Sequence, residues 1–173
     1  MNEGDPAQGS LTEAVPRDPE TSVEFSIDVD VPPERAFRVF TDGIDSWWPR
    51  SHHIGQVDMA VAILEPHAGG RWYEVGIDGS TCDWGVVLEW DPPRHIAMSW
   101  HLDGEFRYRR EAEAASRVDV WFRPDAVGGT TVTLTHTGLQ AHGETWLRLR
   151  EQIGTGWPTL LRLFGEIIAA SVT

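Results

Sequence analysis

Residues 157–168 read WPTLLRLFGEII, and this stretch decides how the rest of the chain must be arranged. Its apolar side chains recur with the spacing that puts them on one face of an α-helix; they are Trp157, Leu160, Leu161, Phe164, Ile167 and Ile168. A helix with one apolar face is stable only when another element covers that face. The remaining sequence must therefore supply a layer against which this helix packs.

The residues just before this stretch predict a second helical piece. One side of the segment 143–153 is apolar, through Trp146, Leu149 and Ile153. Pro158 suits the first turn of the final helix, because a proline there removes no helical hydrogen bond. Residues 154–156 contain two glycines, so we expect a break or kink between the two pieces.

The layer that covers the helix is predicted to be a sheet. Apolar and polar residues alternate over 22–29, which indicates a first, half-buried strand. After it, the sequence predicts a short helix over 33–41 and a second one that begins near Asp42 and ends at Pro49. Six further strands follow, separated by turns rich in Gly, Pro and Asp: 58–64, 70–77, 81–90, 94–101, 117–123 and 130–137. Such short turns favour an antiparallel meander, so the fold class is α+β, with about seven curved strands around a long C-terminal helix.

Composition excludes several classes of partner. The formal charge of −13 on 173 residues repels phosphate backbones, so nucleic acid is not an expected partner. No apolar run approaches the roughly 18 residues that span a bilayer, so membrane insertion is not expected either. The single cysteine, Cys82, cannot form an internal disulfide, which fits a cytoplasmic location. Residues 1–21 are expected to be a disordered acidic tail, and 22–173 a single domain.

Alternation along the strands predicts which side chains face the helix. In 81–90 the core face is Cys82, Trp84, Val86, Leu88 and Trp90. In the next two strands it is Ile96, Met98, Trp100, Val118, Val120 and Phe122, which leaves Trp121 pointing outward. In the last strand, His136 shares the inward face with Val132 and Leu134. In 70–77 the alternation allows either Arg71 and Tyr73 or Trp72 and Glu74 to face inward.

A bent sheet around a helix leaves a gap that is a natural place for a ligand. Nine tryptophans are far more than usual for this length, and several come from separate elements that converge on the gap. We expect a small apolar or aromatic ligand there, such as a lipid or polyketide, with Trp47 and Trp48 near the mouth and His136 as a polar anchor. The candidate ligand-binding residues are Trp47, Trp48, His52, Trp72, Glu74, Trp84, Trp100, His136, Trp157, Leu160 and Phe164.

Catalytic and cofactor motifs are scarce. The sequence has no nucleophile elbow, no phosphate-binding glycine loop and no metalloprotease motif, so we expect no cofactor. Adjacent His52 and His53 could seed a metal site only with further ligands from elsewhere, and we expect no metal. Glu74 and His136 could form an acid/base pair, although a purely structural pair is the more common arrangement. An enzyme that uses the same cavity is therefore the alternative to a binding protein, and Trp121 could belong to a homodimer interface.

Several motifs together resemble a known family. The motifs are Val31-Pro-Pro-Glu-Arg-Ala-Phe37, Trp47-Trp48-Pro49, Gly69-Gly70-Arg71-Trp72-Tyr73-Glu74, Trp90-Asp-Pro-Pro-Arg94 and Gly156-Trp157. They occur in the order found in the START-like (SRPBCC) family named after the activator of the heat-shock protein 90 ATPase. The resemblance covers roughly residues 22–170. It implies a helix-grip fold with a deep cavity, which in relatives holds lipids, sterols or polyketides and sometimes supports cyclisation or dehydration. Eukaryotic chaperone activators carry an additional N-terminal domain that this sequence lacks, so a chaperone is the least favoured partner.

Overall fold

Seven strands and three helices follow one another in the predicted order. The computed structural model describes residues 17–172. The strands are β1 (Val23–Val29), β2 (Met59–Leu64), β3 (Arg71–Gly76), β4 (Thr81–Asp91), β5 (His95–Trp100), β6 (Ser116–Pro124) and β7 (Thr130–Thr137). The α-helices are α1 (Pro33–Phe40), α2 (Ile44–Trp47) and α3 (Trp146–Ala170), and short 3₁₀ helices span Ala112–Ala114 and Leu139–Thr145. The predicted α+β fold is confirmed.

All neighbouring strands of the sheet run antiparallel, in the order β1-β7-β6-β5-β4-β3-β2. The meander from β2 to β7 is as predicted, and β1 joins it at the far edge by pairing with β7, where Phe25 lies opposite Leu134. Register shifts in β2, β3 and β4 bend the strands, as β-bulges do. The sheet therefore curls around α3.

A bulge at Trp84 overturns part of the predicted inward face of β4. Pairing with β3 shifts register between Asp83 and Gly85. Because a single extra residue moves the side chains that follow it to the opposite face, Val87 is 1% exposed while Leu88 is 41% exposed. The prediction that Val86 and Leu88 lie on the core face is therefore wrong. Trp84 is buried as predicted, and a second shift, between Val87 and Glu89 in the pairing with β5, returns Trp90 to the predicted core side.

Helix α3 is continuous, so the predicted break at 154–156 is wrong. The helix runs without interruption from Trp146 to Ala170, and Pro158 lies inside it, not in its first turn. Two glycines cost an exposed helix roughly 2 kcal/mol together, but tertiary burial outweighs propensity. The buried side chains keep one helical phase on both sides of the glycines: Leu149, Ile153, Trp157, Leu160, Leu161, Phe164 and Ile168.

The N-terminal segment of the described chain contacts residues of the C-terminal part. Residues 17–22 lie beside the core, where the Arg150 Nη2 donates to the Pro19 carbonyl oxygen and the Leu139 N–H to that of Thr21. The predicted disordered tail falls mainly on residues 1–16, which lie outside the described residues. Within residues 17–172, no helix has the length and apolar character needed to cross a bilayer.

Candidate ligand-binding site

Six tryptophans fill the space where the sheet faces α2 and α3, and we call them the tryptophan cluster: Trp47, Trp48, Trp72, Trp84, Trp100 and Trp157. The ring of Trp48 lies 4.5 Å from that of Trp84, 5.8 Å from that of Trp72 and 6.2 Å from that of Trp157, measured between centroids. Trp100 lies 5.5 Å from Trp72, 6.4 Å from Trp84 and 5.6 Å from Trp157. Three strands and two helices thus place their indoles in mutual contact, mostly edge to face, as aromatic pairs prefer.

The indole N–H groups of the cluster are largely paired within the protein. Three of them donate to backbone carbonyl oxygens: Trp47 to Val39, Trp48 to His52, and Trp100 to Leu102. Two others donate to side chains, since Trp84 donates to Glu74 and Trp157 to His136. Within residues 17–172, Trp72 is the cluster indole whose N–H has no acceptor.

Glu74 is a buried carboxylate at one side of the cluster. Its Oε1 accepts the Trp84 indole N–H at 2.9 Å and the Ile54 backbone N–H at 2.6 Å, and Oε2 accepts the Gly55 N–H at 3.4 Å. Trp72 and Glu74 are each only 1% exposed, which settles the orientation that the alternation in β3 left open. Arg71 and Tyr73 lie on the other face, where the guanidinium covers the Tyr73 ring.

His136 lies fully buried beside Trp100 and Trp157. Its Nδ1 accepts the Trp157 indole N–H at 3.1 Å, and its Nε2 lies 2.6 Å from the Ser116 Oγ. The same Oγ lies 2.7 Å from the Nε2 of His142, which belongs to the 3₁₀ segment Leu139–Thr145. Burial lowers the pKa of His136 to about 3 and that of His142 to about 4, so both imidazoles are neutral near pH 7.

The direction of this hydrogen-bond chain follows from its first donor. An indole nitrogen only donates, so His136 Nδ1 must be unprotonated and its proton sits on Nε2, which donates to Ser116. The Ser116 hydroxyl is then free to donate to His142 Nε2, which places the His142 proton on Nδ1. Within the described residues that buried Nδ1 has no partner. The chain thus fixes His136 Nδ1 as an acceptor facing the cluster.

The predicted pair of Glu74 and His136 does not form. Each of the two side chains holds its own set of partners, Trp84 and the 54–55 backbone for Glu74, and Trp157 and Ser116 for His136. They lie on separate strands, β3 and β7, at well-separated positions of the sheet order. The alternation places His136 inward and leaves the orientation of Glu74 open, and it carries no information about the distance between the two side chains.

The other candidate residues lie around this centre. Trp47 and Phe164 contact each other and Phe40, and Leu160 is buried on α3. His52 is exposed, although its carbonyl oxygen holds Trp48. Within residues 17–172, no group of three or more His, Cys, Asp or Glu side chains could hold a metal ion.

Sequence reasoning missed Ser116 and His142. Ser116 is the first residue of β6, directly opposite Trp100 on β5, but its small polar side chain carries no periodic signal. His142 lies in an irregular segment between β7 and α3, where alternation cannot assign a face. Trp121 points outward as predicted, and its ring stacks on His95 at 3.9 Å on the convex face of the sheet.

A curled antiparallel sheet that holds a C-terminal helix over an aromatic interior defines the helix-grip class of proteins. Residues 30–169 match the family described as "Activator of Hsp90 ATPase homolog 1-like protein", and the chain belongs to that family. The family resemblance read from the motifs is confirmed. No curated protein matches the chain closely enough to count as a relative.

Three solved structures that resemble the chain differ widely in their sequence identity to it. The chain is 39% identical to an anthrahydroquino-γ-pyrone synthase, Txn09, solved in complex with SUM, over 77% of this chain and 88% of that one, with a TM-score of 0.55. It is 28% identical to the self-sacrificing resistance protein CalC from Micromonospora echinospora, over 87% and 96% of the two chains, with a TM-score of 0.65. The Aha1 dimer from Colwellia psychrerythraea, at 14% identity, 85% and 95% coverage and a TM-score of 0.60, shares the fold.

Proposed function

We propose that the protein binds a planar, polycyclic aromatic small molecule of polyketide type within the tryptophan cluster. The observation that carries the proposal is the cluster itself, in which buried indoles from α2, α3 and three strands contact one another. The 39% identity to a synthase named for an anthrahydroquino-γ-pyrone supports an aromatic ligand over a flexible lipid.

Binding in this interior requires the indoles to separate, because they now contact one another. A flat ligand replaces each lost indole contact with a contact of the same kind, since an aromatic ring stacks on either side with comparable energy. A branched or saturated ligand cannot replace these ring contacts with contacts of the same kind. The closed cluster therefore favours ligands that are themselves flat and aromatic.

The test is a titration of anthraquinone into the full chain, followed by tryptophan emission and by the melting temperature. We expect strong quenching, because the ligand lies against several indoles, and a higher melting temperature, because it binds the folded state. Trp72→Phe should weaken binding roughly fivefold, since a lost aromatic contact is worth about 1 kcal/mol. Its N–H has no acceptor in the described part of the chain, so the substitution leaves no other group there unpaired.

Trp121→Phe is the matched control, because Trp121 lies on the convex face against His95 and away from the cluster. Its quenching and affinity should equal those of the unaltered chain. Equal effects of the two substitutions, or the absence of any quenching or thermal shift across a panel of linear polycyclic aromatics, would rule out the cluster as a binding site.

A second candidate, supported by the same 39% identity, is that the protein also catalyses ring closure on such a ligand. It would use Glu74 and His136, which are buried, have acid/base capacity and accept the N–H groups of cluster indoles. Turnover of an anthrahydroquinone precursor to a γ-pyrone product should then be lost in Glu74→Gln or His136→Gln. Turnover that is indifferent to both substitutions would remove them from a catalytic role.

We also propose that the protein works in the cytoplasm, as the single unpaired Cys82 suggests.

We further propose that the protein forms a homodimer. The dimer is supported by the assembly named for the Colwellia relative. Light scattering of Trp121→Glu tests whether the half-buried Trp121 lies in the interface, since a buried charge there would separate the protomers. Identical masses for both proteins would exclude that surface.

A further inference from the structure

The tryptophan cluster contains two buried hydrogen-bond acceptors, and each is covered by an indole of the cluster itself. Glu74 Oε1 holds the N–H of Trp84 at 2.9 Å, and His136 Nδ1 holds that of Trp157 at 3.1 Å. Ring contacts join both of these indoles to Trp48 and Trp100. The two acceptors therefore lie on different sides of one shared aromatic space.

Neither group can readily change into a donor. Among residues 17–172, the hydrogen-bond partners of the Glu74 carboxylate are all N–H groups, from Trp84, Ile54 and Gly55, so both oxygens are held as acceptors. His136 is held by the chain through Ser116 to His142, which keeps its proton on Nε2 and its Nδ1 lone pair toward Trp157. The protein thus presents acceptors on both sides.

A ligand that separates the indoles takes the N–H groups of Trp84 and Trp157 away from these acceptors. His136 Nδ1 then loses its donor, and Glu74 Oε1 keeps only the Ile54 N–H, while neither lost hydrogen bond is replaced by water in a closed interior. An ether or carbonyl oxygen on the ligand cannot replace the lost N–H, because it has no proton to give. A hydroxyl group can, so the exchange is balanced only for a ligand with a hydroxyl at each side.

Trp72 offers the cluster a hydrogen-bond donor in addition to the two acceptors. Its ring lies 5.6 Å from Trp84 and 5.5 Å from Trp100, and within residues 17–172 its N–H has no acceptor. A carbonyl oxygen on the ligand would satisfy that donor. The hydrogen-bonding groups of the cluster therefore complement a ligand that carries two hydroxyl groups and one carbonyl group.

We infer that the ligand of the tryptophan cluster is a polycyclic aromatic ketone or quinone with two phenolic hydroxyl groups, one donating to Glu74 and the other to His136. This inference rests on the proposed function, because it specifies the ligand of the same site. It assigns selectivity to hydrogen-bond donors on the ligand, in addition to its flat shape.

The experiment compares dihydroxyanthraquinone isomers with their dimethyl ethers and with unsubstituted anthraquinone, all titrated into the full chain. For at least one isomer we expect the diphenol to bind about a hundredfold more tightly than its ether, roughly tenfold for each acceptor. The monomethyl ether of that isomer should fall between them.

The outcomes separate this inference from the proposed function. If unsubstituted anthraquinone binds and quenches as tightly as every diphenol, the cluster binds aromatics but the hydroxyl assignment is wrong. If none of the compounds binds, the proposed function fails and the inference fails with it. If ethers bind more tightly than diphenols, the acceptors stay covered by their indoles and the inference is overturned.

Two variants locate the effect on the protein. Glu74→Gln should reduce the preference for the diphenol over the ether about tenfold, because the amide offers a donor in place of one acceptor oxygen. Glu89→Gln, on the convex face beside Arg117, should leave the preference unchanged. An unaltered preference in a folded Glu74→Gln chain would overturn the assignment, and the comparison of diphenol and ether stands even if that variant does not fold.

Discussion

Acidification should destabilise the fold well above the pH at which its carboxylates are protonated, because two histidines are buried in neutral form. Burial lowers the pKa of His136 to about 3 and that of His142 to about 4, while an unfolded histidine has a pKa of about 6.5. Between those values the unfolded chain binds more protons than the folded chain. The free energy of unfolding therefore falls as the pH falls through about 6.5, and it is fully retained above that pH.

The size of the loss follows from the same linkage. Each buried histidine lowers the free energy of unfolding by about 1.4 kcal/mol for every pH unit below about 6.5. At about pH 5 the two together cost roughly 4 kcal/mol, a large part of the 5–15 kcal/mol that stabilises an ordinary domain. The nearby groups partly offset each other, since Asp103 raises the pKa of His142 and His101 lowers it.

Urea denaturation at a series of pH values, followed by circular dichroism, measures this slope directly. His142→Gln should remove about half of the dependence between about pH 6.5 and 5, because only His136 then gains a proton on unfolding. His67→Gln is the control, because His67 is exposed in the turn before β3 and should leave the slope unchanged. The reasoning is refuted if the unaltered chain shows a flat profile in this range, or if both variants give the same slope.

Three substitutions test other features of the packing. Gly85→Ala should destabilise the protein by several kcal/mol or prevent folding, because a Cβ would lie 1.7 Å from the Ser99 carbonyl oxygen; the melting temperature measures it. Gly156→Ala should instead raise stability by about 0.5–1 kcal/mol, since nothing lies within 4 Å of its added Cβ and alanine favours a helix. Ser116→Ala should cost about 1–3 kcal/mol in urea denaturation by leaving two buried imidazoles without their shared partner, whereas the exposed Ser26→Ala should cost less than about 0.5 kcal/mol.

Sequence patterns predicted the elements and most inward faces because both depend on local periodicity. Regular alternation in β7 placed His136 inward, and the structure buries it completely. The same method failed in the middle of β4, because the bulge at Trp84 is set by pairing with β3 and not by the residues of β4 alone. The glycines at 154 and 156 wrongly predict a break, since local propensity does not include the burial of Leu149 and Trp157 on either side.

The chemistry of the site was less accessible to sequence reasoning. The inward orientation of Glu74 follows from the burial of Trp72 in the structure. Alternation along β3 alone allows either Trp72 and Glu74 or Arg71 and Tyr73 to face inward. The chain from His136 to His142 passes through a serine and an irregular segment, and it depends on distances between β6, β7 and residues beyond β7. Periodicity can place a side chain on a face, but hydrogen-bond partners across strands require the register.

The pairing of β1 with β7 has a consequence for how the protein is made. Ser26 and Thr133, which face each other across that pairing, are 107 residues apart in sequence. A ribosome that synthesises the chain from its N-terminus releases β1 long before β7 exists, so β1 must wait without its partner while the meander forms. Nascent chains stopped before residue 130 should therefore expose the apolar face of β1 to chaperones, and complete protection of that strand should appear only after the last strand has left the ribosome.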